Sequence, residues 1–450
     1  MPKSDRKPSP RALCRRVGLI LLTLCCVVGL SGCGAMGMDV ENRLRPPHAT
    51  GDQEEIQNAL ESSIRDQGLP SQYVLKYPKN GEYRSAFVLK DLDSDGEEEA
   101  LAFYRPGGDT STVHINLMRQ TDGQWASVSD IAGMSTDIDS VDFGDLDGDG
   151  NLEIFTGWDI YNNRDRQLVM YSLRTGEFVE MFSDIYGQMV VGDIRSSGHD
   201  DLLLLRIQSS SNTVTARLLV MDSGAVIESD QVKIDGYIQQ FGNTHVCPLS
   251  EEISGVFIDG IRVGGGMVTE LVYWDGTRLI APLYSEETNT VTDTYRSASI
   301  PSLDIDGDGM IEWPQCYELA GVDYETDADP LWRTVWMSWD LSTGQSSPKS
   351  SSIVNMKDSY SLSLPSSWVD MVTADYTAED HLFRLYTVEN GEKGSEILAI
   401  RASSSISPGE SNFDLLTTAG NIYYEVRIAQ DEPYDLNVQR VQYMFTVLSD

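Results

Sequence analysis

Three nine-residue segments of the chain combine carboxylates with glycine in a pattern suited to a metal ion. Each has carboxylates at positions 1, 3, 5 and 9 and a glycine at position 6. We call these segments loops 1, 2 and 4. Their carboxylates are, in order, Asp91, Asp93, Asp95 and Glu99; Asp145, Asp147, Asp149 and Glu153; and Asp304, Asp306, Asp308 and Glu312. Four negative side chains in so short a loop repel one another strongly unless a cation lies between them.

The glycine and the oxygen ligands indicate which cation would suit these loops. Gly96, Gly150 and Gly309 permit a positive φ, and such a turn can direct the position-7 carbonyl towards the carboxylates. The position-7 residues are Glu97, Asn151 and Met310. Carboxylates, one carbonyl and water match the roughly six to eight hard oxygen ligands of Ca²⁺. Zinc is disfavoured because cysteine and histidine do not contribute, and Mg²⁺ demands a stricter octahedron.

An EF-hand and a solvated acidic turn without metal are the alternatives. An EF-hand needs glutamate at position 12, where this chain has Ala102, Thr156 and Gln315. A further segment at 193–201, loop 3, follows the pattern only in part, with Arg195 at position 3. We expect loop 3 to hold no calcium, and Arg195 is a candidate source of positive charge there.

The elements that must position these loops have the character of β-strands. The loops begin 54, 48 and 111 residues apart, and β-like segments flank each of them. About four strands per period of roughly 50 residues is typical of a propeller blade. We therefore predict a mainly β protein with a β-propeller over residues 80–356, built of about five four-stranded blades, with six or seven also open. The predicted blades are 80–136, 137–186, 187–235, 236–292 and 293–356.

The loops resemble FG-GAP and VCBS repeats, the calcium-loop blades of integrin α-subunit propellers and of bacterial surface proteins. Phe143-Gly144-Asp145, followed by Asp147 and Asp149, carries the likeness best. The resemblance implies calcium in loops 1, 2 and 4, and a calcium ion that braces its loop without binding the ligand. Glutamate at position 9, where the family usually has aspartate, is a departure.

The N-terminus is typical of an exported bacterial lipoprotein. Residues 1–32 comprise a basic region, a short apolar stretch and small residues, and Leu30-Ser31-Gly32-Cys33 resembles a lipobox. Cys33 is then the lipidated residue, and 33–51 is a flexible tether. The protein is expected to face outside the cytoplasm, anchored to the membrane by lipid alone. An ordinary cleaved signal with a chance cysteine is the alternative.

The remaining regions flank the propeller. Residues 52–79 are predicted to form an N-terminal helix and lead-in, with Ile56, Leu60 and Ile64 on one helical face. Residues 357–450 are predicted to form a small α+β domain whose last helix spans 436–448. Cys247 and Cys316 remain after export, and a disulfide between them and two buried free thiols are both open.

Charge and motifs limit the function. A formal net charge of −37 repels phosphate backbones, so nucleic acid is excluded as a partner. The chain carries none of the usual local catalytic motifs, which favours a binding or scaffold module for an extracellular protein or glycan over an enzyme. A carbohydrate-active or other hydrolytic enzyme is the alternative. A polar cleft at the propeller mouth with two carboxylates outside the loops would favour it.

Overall fold

The computed structural model describes residues 52–108, 111–160, 165–174, 176–291, 293–324, 330–405 and 412–448. The predicted signal peptide, Cys33 and the tether lie outside these residues. Of the described residues, those from Leu60 onwards belong to one compact unit and Asp52–Ala59 belong to a second unit. Helix α1, Asp52–Asp66, confirms the predicted N-terminal helix, and Ile56, Leu60 and Ile64 on it are buried. No helix in the described parts of the chain is both long and apolar enough to cross a membrane.

Blades 1 and 2 are antiparallel sheets in which strands follow one another along the chain. Blade 1 consists of β1 Tyr73–Leu75, β2 Phe87–Lys90, β3 Glu99–Pro106, β4 His114–Thr121 and β5 Gln124–Ala132. Its first strand is split, because β1 and β2 pair with successive parts of β3. Blade 2 consists of β6 Ile138–Gly144, β7 Glu153–Asp159, β8 Arg166–Arg174 and β9 Glu177–Tyr186.

Blades 3 and 4 repeat the four-stranded arrangement. Blade 3 consists of β10 Gln188–Gly192, β11 Asp201–Gln208, β12 Thr213–Asp222 and β13 Ala225–Ile234. Blade 4 consists of β14 Ile238–Pro248, β15 Ser254–Arg262, β16 Met267–Trp274 and β17 Leu279–Ile280. The first strands β6, β10 and β14 lie next to one another, so they form the inner edge of the propeller.

The blades stack face to face because their second strands are apolar on both sides. In β11, Leu203 and Leu205 belong to the core shared with blade 4, whereas Leu202 and Leu204 belong to the core shared with blade 2. Alternate side chains of a strand point to opposite faces, so a continuous leucine run serves two neighbours. The predicted mainly β propeller is thus confirmed.

Blade 5 has a less regular sheet. It consists of β18 Trp313–Tyr317, β19 Arg333–Asp340, β20 Gln345–Asn355, β21 Tyr360–Ser363 and, from the end of the chain, β27 Phe445–Val447. Where the other blades have a first strand, this blade has only a bridge between Leu303 and Glu312. Its outer strands β21 and β27 come from the segment that the sequence assigns to the C-terminal domain.

The C-terminal region forms a five-stranded antiparallel sheet after a short 3₁₀ helix, Ser366–Trp368. Its strands are β22 Val372–Thr377, β23 Leu382–Glu389, β24 Glu392–Ser403, β25 Asp414–Ala419 and β26 Ile422–Ile428. Helix α2, Val438–Met444, is shorter than the predicted 436–448. The chain becomes extended at Phe445 because β27 pairs with β21, and this pairing overrides the helical spacing of apolar residues.

Candidate metal centres and axial cleft

Loops 1 and 2 each connect the first and second strands of their blade, and loop 4 precedes β18. Gly96, Gly150 and Gly309 have φ of 90°, 90° and 85°, which confirms the predicted turn. Two hydrogen bonds recur in each loop. The position-6 glycine donates its N–H to the position-1 aspartate, at 3.1, 3.0 and 2.9 Å in loops 1, 2 and 4. The N–H of position 2 donates to the position-9 glutamate, at 2.9, 2.9 and 3.2 Å.

The position-9 glutamates lie at the floor of each loop. Glu99, Glu153 and Glu312 are only 3%, 2% and 0% exposed. Burial raises the pKa of all three, and it raises that of Glu153 to about 7, with Asp147, Asp145 and Asp149 adding to the shift. A buried carboxyl with this pKa has no adequate counter-charge in its surroundings.

In each loop three of the predicted carboxylates come together, with one oxygen of each within 4.8 Å of the others. The groups are Asp91, Asp93 and Glu99; Asp145, Asp147 and Glu153; and Asp304, Asp306 and Asp308. The position-5 aspartates accept the N–H of Glu97, Asn151 and Met310, so in the structure position 5 shapes the turn. Use of the position-7 carbonyls as ligands stays a prediction.

Loop 2 contains the least compensated carboxylates. Among the residues that the structure describes, no lysine, arginine or histidine forms an ion pair with Asp145, Asp147, Asp149 or Glu153. Within the described parts of the chain, these carboxylates accept hydrogen bonds only from backbone N–H groups and from the side-chain amide of Asn151, which donates to Asp149 at 2.8 Å. The donor set and its missing charge therefore fit a divalent cation.

Loop 1 is partly compensated by an arginine of its own blade. Arg119 on β4 lies 2.6 Å from Asp93 and 3.3 Å from Glu99. Even so, one oxygen each of Asp91 and Asp93, both Oδ1, is buried without a hydrogen-bond partner. Buried carboxylate oxygens are costly when they are left unpaired, so this loop also fits a cation.

Loop 4 already contains a cation that the sequence analysis did not anticipate. Lys349 on β20 forms ion pairs with Asp306, Asp308 and Glu312 at 3.0, 2.6 and 2.8 Å. The hydrogen bond from Lys349 lowers the pKa of Asp308. The third predicted site thus differs from the other two through a residue 37 to 43 positions along the chain.

Loop 3 keeps the turn but has Arg195 and Ser197 where the other loops have aspartates. Gly198 donates its N–H to Asp193 at 2.9 Å, as in the other loops. Arg195 Nε donates to the fully buried Asp201 at 2.8 Å, which confirms Arg195 as the source of positive charge there.

The loops of neighbouring blades are joined to each other. Leu152 of loop 2 donates its N–H to the Leu92 carbonyl of loop 1 at 2.8 Å. Ser94 also donates its hydroxyl to the Gly150 carbonyl. Loop 2 is joined in turn to loop 3, because Asp200 N–H donates to the Asp145 carbonyl at 2.9 Å. A loop that loses its shape would therefore disturb the contact between blades.

A polar cleft of about 790 Å³ opens at one end of the inner strands. Its lining includes Asn80, Arg84, Arg166, Gln188 and Asn243. A deeper pocket of about 300 Å³ shares Asn80 and Gln188 with it and adds Asp139 and Asp142. Amide and guanidinium groups around a concave surface are typical of a site for a polar ligand.

The two carboxylates of the deeper pocket lie outside the acidic loops and differ in their surroundings. Asp139 is an ion-pair partner of Arg166 at 2.6 Å and accepts hydrogen bonds from Asn80 at 2.8 Å and Tyr186 at 3.1 Å. Burial raises the pKa of Asp142 to about 6, with Glu82 and Asp200 adding to it. Sequence reasoning missed both, and their only signal is an acid within an apolar strand.

Cys247 and Cys316 are free thiols in the structure. Cys247 lies in the core between blades 4 and 5, whereas Cys316 packs against a second cluster around Trp336. The disulfide that the sequence left open is not formed, because the two strands bring the thiols into different clusters.

Comparison with known proteins supports the repeat. Residues 91–156, which contain loops 1 and 2, match the model of the FG-GAP-like repeat family. No curated protein matches the chain. Among solved structures, a Bacillus licheniformis rhamnogalacturonan lyase is 12% identical, with 71% of each chain covered and a TM-score of 0.30. The Dos1 propeller is 9% identical over 79% of this chain and 88% of its own, also with a TM-score of 0.30. A periplasmic gluconolactonase of Pseudomonas aeruginosa is 11% identical over 71% and 86%, with a TM-score of 0.29.

Proposed function

We propose that this chain is an exported, lipid-anchored binding module whose propeller is stabilised by Ca²⁺ in loops 1 and 2. The observation that carries the calcium proposal is loop 2, where four carboxylates share nine residues without a cation from the described part of the chain. Asp145, Asp147 and Glu153 would hold the ion there. Asp91, Asp93 and Glu99 would hold one in loop 1.

Calcium would act on the blades through the loops. Bound Ca²⁺ supplies a charge that removes the repulsion among the carboxylates. The backbone of loop 2 is hydrogen-bonded to loops 1 and 3, so an ordered loop 2 keeps blades 1, 2 and 3 in register. The ion is then structural, and the ligand binds elsewhere.

The calcium proposal is tested by thermal unfolding of the full chain in EDTA, in excess Ca²⁺ and in excess Mg²⁺. We expect Ca²⁺ to raise the Tm by several degrees, because a metal that binds only the folded state stabilises it. The double variant D147N/D149N should lose the part of this rise that comes from loop 2. A wild-type Tm that is equal in EDTA and in Ca²⁺ would refute the proposal.

Lipid anchoring rests on the residues before the folded region. The match of Leu30-Ser31-Gly32-Cys33 to a lipobox supports attachment at Cys33 on the outer face of the membrane. Cells fed a clickable fatty acid should label the wild-type chain and not C33A. Equal labelling of both would exclude Cys33 as the lipidated residue.

The axial cleft is the proposed binding site, and an extracellular protein or glycan is the proposed partner. The side-chain amides and two arginines of the cleft can donate to hydroxyl or carboxylate oxygens. A glycan and protein array probed with the full chain should give a hit that N243A and R84A weaken. A hit that neither substitution changes would place the binding surface elsewhere.

One observation favours an enzyme as the second candidate. Asp139 lies beside the Arg166 guanidinium, whereas burial raises the pKa of Asp142 to about 6, so that Asp142 can exchange a proton near neutral pH. Two carboxyls in unlike environments can act as acid and base. The test is hydrolysis or lyase activity on a panel of polysaccharides. Activity that D142N abolishes would establish the enzyme, and an inactive wild type would leave the binding module.

A further inference from the structure

Lys349 sets loop 4 apart from the other acidic loops. Its Nζ donates to Asp306 Oδ1 at 3.0 Å, to Asp308 Oδ2 at 2.6 Å and to Glu312 Oε1 at 2.8 Å. An ammonium has three N–H donors, so each carboxylate receives one. The Lys349 side chain is only 24% exposed and that of Glu312 is fully buried. The lysine ammonium therefore contacts the buried glutamate of the loop as well as its two partly exposed aspartates.

Lys349 lies at a β-bulge that recurs at the same place in blades 1, 2, 3 and 5. Along the pairing of β19 with β20, Trp336 faces Ser350 and Met337 faces Pro348. Lys349 is therefore the extra residue of a β-bulge. A bulge changes the direction of the side chain that it carries, and here it accompanies the contact with loop 4.

A calcium ion and this ammonium cannot share the loop. Ca²⁺ binds carboxylate oxygens at roughly 2.3–2.6 Å. Lys349 Nζ is already 2.6 to 3.0 Å from one oxygen each of Asp306, Asp308 and Glu312. Two cations at the centre of one carboxylate group would overlap and repel each other. While Lys349 is in place, the residues of loop 4 do not fit the metal.

The equivalent position beside loop 2 carries no charge. The pairings of β4 with β5, β8 with β9 and β19 with β20 each contain a bulge, and its extra residue is Val128, Met181 and Lys349 in turn. Methionine has no charge, so within the described residues loop 2 receives no cation from its own blade. The residue at this bulge thus distinguishes loop 4 from loops 1 and 2, and loop 1 is contacted instead by Arg119 on β4.

We propose that Lys349 is the permanent cation of loop 4, that it excludes Ca²⁺ from this loop, and that its removal converts loop 4 into a calcium site. The conversion rests on the proposed function, because it assumes that the uncompensated loop motif takes calcium. The exclusion rests on the position of Lys349 alone.

Native mass spectrometry of the full chain, counting bound calcium ions, tests both parts. We expect two ions in the wild type, and one more in K349M. The matched control K233M removes an exposed lysine from β13 and should leave the count unchanged. The variant D306N, with Lys349 intact, should also keep two ions, whereas K349M/D306N should lose the ion that K349M gained.

Each result is decisive. A K349M chain that gains no ion, or a D306N chain that loses one, overturns the proposal. The D306N result does not depend on whether K349M folds, since it uses the lysine-containing chain. A wild type with no ion and a K349M variant with one would refute calcium in loops 1 and 2 while supporting the role of Lys349. Two ions in the wild type and two in K349M would support calcium in loops 1 and 2 and refute the role of Lys349.

Discussion

Loops 2 and 4 have almost the same sequence and opposite electrostatic surroundings. Both have the same turn, the same glycine conformation and a buried glutamate at position 9. In loop 2 the described residues offer no cation, and the pKa of Glu153 rises to about 7 through burial and neighbouring acids. In loop 4 three carboxylates surround Lys349. The acidic loop motif therefore requires positive charge, and the residues around each loop determine whether the protein itself supplies it.

The largest expected effect comes from removing the cation of loop 4. K349M leaves the buried Glu312 without its partner and should lower the free energy of unfolding in EDTA by about 3 kcal/mol. Calcium should restore most of this loss in K349M. Urea unfolding in EDTA and in Ca²⁺ measures both values, with K233M as the control. An unchanged K349M in EDTA would mean that Lys349 does not compensate the loop.

The converse change should make loop 2 resemble loop 4. M181K places a lysine at the bulge of β9, the position that Lys349 occupies on β20, and should remove one calcium ion. The lost stabilisation would be about 2.7 kcal/mol at a calcium concentration 100 times the Kd. The matched variant M181Q should keep the ion. Calcium-dependent unfolding of M181K that matches the wild type would contradict the role of the bulge residue.

In the metal-free protein, Glu153 of loop 2 should make the free energy of unfolding depend on pH. The folded pKa of Glu153 is raised to about 7 from an ordinary value of 4.5, so the folded state holds its proton longer than the unfolded chain. This contribution to stability is full below the ordinary pKa and is lost as pH rises towards 7, at about 1.4 kcal/mol per pH unit. Urea unfolding in EDTA at several pH values should show this decline, and E153Q should flatten it. Equal slopes in both chains would exclude Glu153 as the source.

The smallest expected effect is that of replacing the position-6 glycines, which tests the backbone shape of each loop separately from its charge. Gly150 and Gly309 both have positive φ and open space around an added Cβ. G150A and G309A should therefore each lower stability by about 1 kcal/mol through backbone strain. Only G150A should also weaken calcium binding, because only loop 2 of the pair is proposed to hold an ion. Calcium titration of both variants checks this, and equal weakening would place a metal in loop 4.

The local features of the loops could be predicted because their causes are local. A glycine at position 6 permits a turn with positive φ, and the alternating apolar residues around it favour strands. The carboxylates Asp139 and Asp142 could not be predicted as a site, because the partners of Asp139 are Asn80, Arg166 and Tyr186, which come from the segment before β2 and from β8 and β9. The end of the chain shows the same limit, since Phe445 leaves the helix to pair with a strand that lies more than 80 residues earlier.

The sequence by itself determined where negative charge is concentrated, since each set of carboxylates lies within nine consecutive residues. It also determined the strands and the repeat, because apolar alternation and turn glycines act over short distances. Only the tertiary structure decided which cation each loop meets. Arg119 reaches loop 1 and Lys349 reaches loop 4 because of how the strands pair, whereas the bulge position beside loop 2 is Met181. Electrostatic energy depends on distances of a few ångströms, and those distances are set by the pairing of strands far apart in the chain.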